Sequence, residues 1–419
     1  MRKSRICLLL LCITLAVVFS GCGKKQEKPV EITLIHGWGT TEEDHVAMRQ
    51  IYQDFEKQNP DVKLNLVSMP SGSEMVRKVE DLLVVGEVPD IIFLGGTGKD
   101  TVYSFMTEND LALDLMPYIS EDREFAESLA PANIDFWTTP EGELFTVSDV
   151  LLLSGGYWYN EDIFEAAGVE KLPETWDEFL ETCGLIEAWA QKENNGVKCL
   201  QMSSEAYLYF MDHLLAGQDS VSGQAIRNHR LLLEEEAVKE TLVVLRKIYE
   251  YSRVQENYSY RDETDMFNEG KSAMYVNGIW GAPMIADEIS ASYSLIPAEN
   301  GESISCESTC LGYILGSTGD EKKENASVRF LKYMLSEPVQ ERILQETEQV
   351  PANPHIQLRD YEKGMERFAA AADRVKSAEM KIQVPNNIWN SGAREKFMEG
   401  IFDVLENKIT DEEFIHSLM

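Results

Sequence analysis

A chain of 419 residues is long enough for roughly two to three domains with ample hydrophobic core. Its 72 acidic and 38 basic residues give a formal net charge of −34, which excludes nucleic acid as a partner, because phosphate binding needs a basic surface. No aromatic-poor, low-complexity block accompanies the acidity, so it reads as a well-solvated surface and not as disorder.

In chain order, the first signal is N-terminal. MRKSR is a basic start, residues 6–19 form an apolar stretch too short for a comfortable membrane span, and Val18-Phe19-Ser20-Gly21-Cys22 precedes the polar GKKQE. Small residues ahead of a cysteine at such a place resemble a bacterial lipobox, with Phe19 where leucine is usual. The expectation is a signal peptide over 1–21, a diacylated Cys22 and a tether over 22–30, with an ordinary cleaved signal or an uncleaved anchor as the alternative. Two or more acyl chains suffice for stable anchoring.

EITLIHGW then reads as a strand, Met48, Ile51, Tyr52 and Phe55 fall at helical spacing, and Asn59-Pro60 stops that helix. Residues 62–67 alternate as a second strand, residues 75–85 read as a helix, and DIIFLGG is a short apolar strand running into Gly95 and Gly96. This β-α-β-α-β order predicts a parallel sheet with helices on its faces. Ligands on such sheets sit beyond the carboxyl ends of the strands, where Trp38, Gly95 and Gly96 fall.

The middle is mostly helical. Thr175 and Glu178 have the spacing of a capping box, residues 237–251 and 325–335 are periodic, and Glu337-Pro338 starts a fresh helix. In FNEGKSAMYVNGIWG the residues alternate as a strand up to Trp280, which has Gly278 before it and Gly281 after it. Trp137, Trp176 and Trp189 are assigned to helix packing. There is no internal repeat and no long linker. Cys183, Cys199, Cys306 and Cys310 lie beyond the lipobox and allow three full pairings, among which the sequence does not choose. Cys306 and Cys310 sit four apart, but no second cysteine or histidine pair accompanies them at metal-site spacing, so no metal, no cofactor and no catalytic thiol are expected.

FEKQNPDVKLNLV, VPDIIFLGG, LALDLMPYI, YWYNEDIFEAAGVEKLPETWDEF, FNEGKSAMYVNGIWG and FLKYMLSEPVQERILQETEQVPANP occur in this order. Together they resemble the family-1 extracellular solute-binding proteins, the sugar-binding lipoproteins of ABC importers, from about residue 31 to near the C-terminus. The resemblance implies an α/β fold of two lobes, periplasmic-binding-protein-like of type II, with parallel-rich sheets flanked by helices and a ligand cleft between the lobes. Residues 31–147 and 314–350 would form the N-terminal lobe, and 150–310 and 353–419 the C-terminal lobe. The implied protein is a monomeric, non-enzymatic receptor, lipid-anchored on the extracellular face of the bacterial membrane. It would capture a sugar or oligosaccharide and deliver it to the permease subunits.

The resemblance also nominates residues. Trp280 matches a tryptophan that stacks on a sugar ring in the family's maltose-binding member; Glu205, Tyr207 and Phe210 match a sugar-contacting run, and Trp389 a late cleft tryptophan. Trp38 sits where relatives place polar or aromatic contacts, and Asp149 is placed to accept sugar hydroxyls. The chemistry suits a sugar, whose apolar C–H face an indole covers while carboxylates and amides bond the hydroxyl rim. Each aromatic has a plainer reading as core packing, and Asp149 as a solvated loop residue. Leu94 stands where the maltose-binding member has a stacking tryptophan, which argues against maltose itself. Two rival functions remain: a secreted glycoside hydrolase with Glu205 and Asp149 as its acid–base pair, and a receptor for a peptide or amino acid.

Overall fold

The computed structural model describes residues 28–70, 72–95, 101–253, 260–298, 301–358 and 365–419. Cys22, the signal peptide and Gly96 lie outside the described residues. The strands in chain order are β1 (Val30–His36), β2 (Val62–Ser68), β3 (Ile91–Leu94), β4 (Thr146–Val147), β5 (Val150–Ser154), β6 (Gly156–Asn160) and β7 (Lys198–Gln201). They continue with β8 (Ser252–Arg253), β9 (Ser272–Val276), β10 (Ala291–Leu295), β11 (Ile304–Thr309), β12 (Gly312–Leu315), β13 (Val350–Pro351) and β14 (Met380–Ile382).

The first sheet has the order β2-β1-β3-β12-β4. Its β1–β2 and β1–β3 pairs are parallel, as the β-α-β-α-β reading requires. The crossover helix Glu43–Gln58 turns Met48, Ile51, Tyr52 and Phe55 inward, one stripe at the helical period. The second crossover is the helix Gly72–Val84. All four residues of β3 are buried, which is why it reads as a continuous apolar run. β12 joins antiparallel to β3, about two hundred residues later in the chain, and β4 pairs with β12.

The second sheet, β10-β6-β9-β7-β8, mixes antiparallel β6–β9 and β6–β10 pairs with parallel β7–β9 and β7–β8 pairs. Helices Trp176–Glu193, Ser204–Gly217, Glu235–Glu250 and Ser391–Leu405 contribute to its core. Half of the expected box at Thr175 forms: the Thr175 hydroxyl accepts the Glu178 N–H, but the Glu178 carboxylate reaches past it to the Glu174 N–H. A complete capping box closes the last helix at Thr410 and Glu413.

A third sheet has the order β13-β5-β11-β14. The chain passes from the first sheet to the third between β4 and β5, and back between β11 and β12. Apolar packing follows the same division. One core draws on residues between 32 and 150 and between 310 and 352; the other runs from 157 to 306 and from 382 to 418. A smaller core around Trp158, Tyr275 and Tyr293 backs the second sheet. At the return crossing Gly312 has φ +74°, and a Cβ there would lie 2.4 Å from the Val147 carbonyl oxygen. The two crossing segments touch backbone to backbone at that point.

Candidate functional site

At the carboxyl end of β1 the chain runs from His36 to Trp38. The half-buried Trp38 indole stacks on Phe93 with centroids 5.6 Å apart, and its N–H donates to the Tyr52 hydroxyl at 3.1 Å. Burial, assisted by Arg49, pushes His36 down to about 4, so it is neutral at ordinary pH beside Ser68. Gly95 lies at the parallel end of β3, half-buried.

From Trp38 a chain of hydrogen bonds leads inward. Tyr52 and Tyr313 share a hydroxyl–hydroxyl bond of 3.0 Å, and Tyr313 donates to Asp149 at 2.8 Å. Because Tyr313 gives its single hydroxyl proton to Asp149, Tyr52 donates to Tyr313, and each donor in the series points the same way, from Trp38 toward Asp149. Asp149 sits in the crossing between β4 and β5, wholly buried, and its backbone carbonyl accepts from the Ala352 N–H and the Gln340 amide. Its Oδ1 has no partner among the described residues. Burial raises its pKa to about 7, against the pull of the Tyr313 hydrogen bond. Neither a solvated loop aspartate nor an open hydroxyl acceptor describes it; burial makes it part of the crossing.

On the second sheet, β7 and β9 are parallel, so Gln201 and Asn277 mark one edge. Beyond β7, Ser203 caps the helix Ser204–Gly217. Glu205 is half exposed on its first turn and pairs with Arg394 at 3.2 Å. Tyr209, one turn on, is half-buried; its phenol lies beside Ser154 and Cys306, and burial pushes its pKa up, with Cys306 and Glu205 adding to the shift. Gln201 is buried, and neither atom of its amide has a partner among the described residues. The Glu263 carboxylate accepts the Ser203 N–H at 2.6 Å and is raised to about 7 by burial.

Beyond β9, Trp280 lies on a single 3-10 turn, Ile279–Met284, and is half-buried. A Cβ at Gly278 would meet the Trp280 ring at 2.2 Å, so the six-membered ring of the indole packs against that glycine. The turn is held from below: Trp158 donates to the Gly278 carbonyl at 3.1 Å, and Tyr293 to the Asn277 carbonyl at 2.8 Å. The indole therefore rests against backbone on a braced support.

The family description "Bacterial extracellular solute-binding protein" matches residues 50–372. The chain belongs to that family. A multiple sugar-binding protein of Streptococcus mutans is 23% identical to this solute-binding protein over 288 residues, 65% of this chain and 64% of the relative's length. The match thus spans just under two thirds of that curated relative. A Streptococcus pneumoniae solute-binding protein, solved with the blood group A-trisaccharide, superposes with a TM-score of 0.75 at 21% identity, covering 93% of this chain and 98% of the other. The GacH receptor of Streptomyces glaucescens, solved unliganded and with acarbose, gives a TM-score of 0.73 at 18% identity, covering 94% and 97%. The fold is the two-lobed α/β fold of these proteins, and the relatives are binding proteins, not enzymes. Among the described residues no helix is long and apolar enough to cross a membrane.

Against this background the residues of the solute-binding protein sort into two groups. Trp38, Gly95, Glu205 and Trp280 lie at strand ends with surface to offer. Tyr207, Phe210 and Trp389 do not. Phe210 is fully buried between Trp176 and Phe179, and Tyr207 is buried with its hydroxyl on Ser252. Trp389 is 2% exposed and donates its N–H to Asp212 at 2.8 Å. These three are core side chains here, the plainer of their two readings. Trp137 and Trp176 are buried as expected, while Trp189 is half-buried beside a hollow at the opposite end of the second sheet, lined also by Asn160 and Lys271. Tyr209, Arg394, Gln201 and Glu263 were not foreseen. The i, i+4 spacing to Glu205 signals Tyr209; nothing local in the sequence signals the others.

Proposed function

We propose that this protein is the substrate-capture component of an ABC importer. It holds a sugar or oligosaccharide between its lobes and hands it to a membrane permease without altering it. The ligand lies against Trp280, with the Glu205–Arg394 pair on the hydroxyl rim, Tyr209 backing that wall and Trp38 on the facing lobe. The observation that carries this reading is the braced, half-buried Trp280 beyond β9, on the sheet whose neighbouring parallel strand β7 leads to the half-exposed Glu205–Arg394 pair. The trisaccharide and acarbose named for its structural relatives are ligands of the same chemistry. The lobes divide at the crossings, with 31–147 and 314–350 on one side and 150–310 and 353–419 on the other. The chain acts as a monomer, needs no cofactor, and is held at the outer membrane face through lipid on Cys22.

A thermal-shift screen of the mature protein against mono- and oligosaccharides, amino acids and short peptides tests this. A ligand that binds only the folded state stabilises it by about 2.7 kcal/mol at a hundredfold excess over Kd. The reading expects a sugar to raise the melting temperature and to be recovered intact. Stabilisation by amino acids or peptides alone, or release of reducing ends from the bound sugar, would overturn it.

A further inference from the structure

Four cysteines are described, and all are buried thiols. Cys183 lies on the inward face of the helix Trp176–Glu193, and Cys199 on β7, the next strand. Their sulfur atoms are 2.7 Å apart. The other two cannot pair with each other. Cys306 belongs to the core of the second sheet and Cys310 to that of the first. Four residues of extended chain separate their Cα atoms by roughly 13 Å, at roughly 3.3 Å per residue, about twice the reach of a disulfide.

We infer that Cys183 and Cys199 form a structural disulfide in the exported protein. Proteins of an extracellular family fold where disulfides persist. A disulfide, either glutathione disulfide or a protein thiol–disulfide oxidant, supplies the oxidising equivalents. One cysteine thiolate attacks it, giving a mixed disulfide and one released thiol. The second cysteine thiolate then attacks the mixed disulfide, giving the Cys183–Cys199 bond and a second released thiol. Two protons and two electrons leave the protein, and the oxidant is reduced to two thiols.

The timing follows from burial. The thiolate is the nucleophile, and both sulfurs are shut away from solvent in the native state, where burial also holds the Cys199 thiol protonated. The bond therefore forms during folding, before the helix closes over β7, and resists reduction afterwards. It ties the helix to the strand across the turn at Asn194, Asn195 and Gly196. The same strand ends in Gln201 and leads into the cap of the helix that carries Glu205 and Tyr209, so the bond anchors the strand beneath the proposed sugar wall.

Reduced, denatured mature protein is refolded with glutathione disulfide, denatured again without reductant, alkylated and mapped by peptide mass. The expected result is loss of alkylation at Cys183 and Cys199, whose peptides stay joined until reductant is added, with Cys306 and Cys310 both alkylated. Alkylation of both Cys183 and Cys199 after refolding, or a different pair joined, overturns the inference. A Cys183→Ala/Cys199→Ala protein is expected to melt lower than the oxidised wild type and to be indifferent to the oxidant. The peptide map decides the matter even if that variant fails to fold.

Discussion

Asp149→Asn is expected to reverse its effect on stability as pH rises. The carboxyl is wholly buried, and burial takes its pKa from 3.8 to about 7. Between those two values the native protein keeps a proton that the unfolded chain has lost. The native state binds more protons, so stability falls as pH rises. The stabilising contribution is complete below about 3.8 and is lost as pH climbs through about 7. A shift of about three units at 1.36 kcal/mol each puts the total swing on the order of 4 kcal/mol. Asparagine does not titrate, and its carbonyl can still accept the Tyr313 hydroxyl. Its amide nitrogen would take the place of Oδ1, which has no partner, at a cost of about 1–3 kcal/mol. Below about pH 4 the variant is therefore expected to be less stable than the wild type, and above about pH 8 more stable. Asp212, raised to about 8, and Glu263, raised to about 7, titrate in both proteins and cancel in the difference. Urea unfolding of both proteins across this range measures it. A stability difference that does not change with pH would refute the assignment of a buried, protonated carboxyl to the crossing.

Trp280→Ala is expected to weaken binding of the best sugar by about tenfold to a hundredfold, since an aromatic face is worth roughly 1.5–3 kcal/mol and 1.4 kcal/mol is a decade in Kd. Its melting temperature without ligand should change little, because the ring is only half-buried; calorimetry showing unchanged affinity would remove Trp280 from the site. Gly312→Ala is expected to destabilise the fold by roughly 1–3 kcal/mol or more, because φ is +74° there and the added Cβ would lie 2.4 Å from a carbonyl oxygen; urea midpoints that coincide with the wild type would contradict that contact.

The parts of the fold legible in the sequence were those with a strong local period. The helix of Met48, Ile51, Tyr52 and Phe55, and the strand ending before Trp280, both appear where the pattern put them. The third sheet was not legible. Its edge strand β13 has two residues and β14 three, too few to display an alternation. Pairings such as β12 with β3 join segments with no local relation. Asp149 was misread for a related reason. A carboxylate between two short strands looks like a loop residue until β5, β12 and β13 close around it.

The site was legible only in part, and helical phase explains which part. At about 100° per residue, Glu205 and Tyr209 lie about 40° apart around their helix, whereas Glu205 and Tyr207 lie about 200° apart. If Glu205 faces a ligand, Tyr207 must face the core; naming both for one wall conflicts with the geometry of the helix that carries them. Trp389 shows a different rule: a buried indole whose N–H is taken by Asp212 has neither a face nor a donor left to offer. What joins the surviving residues is the crossing strand β5. Asp149, where the network from Trp38 ends, immediately precedes it, and Ser154, beside Tyr209, is its last residue. Five residues span roughly 17 Å, so the networks behind the two proposed walls are fastened to opposite ends of one short strand. In the proposed two-lobed receptor, a displacement at either wall would be tied to the strand at the crossing between the proposed lobes, the mechanical arrangement that closure about a hinge requires.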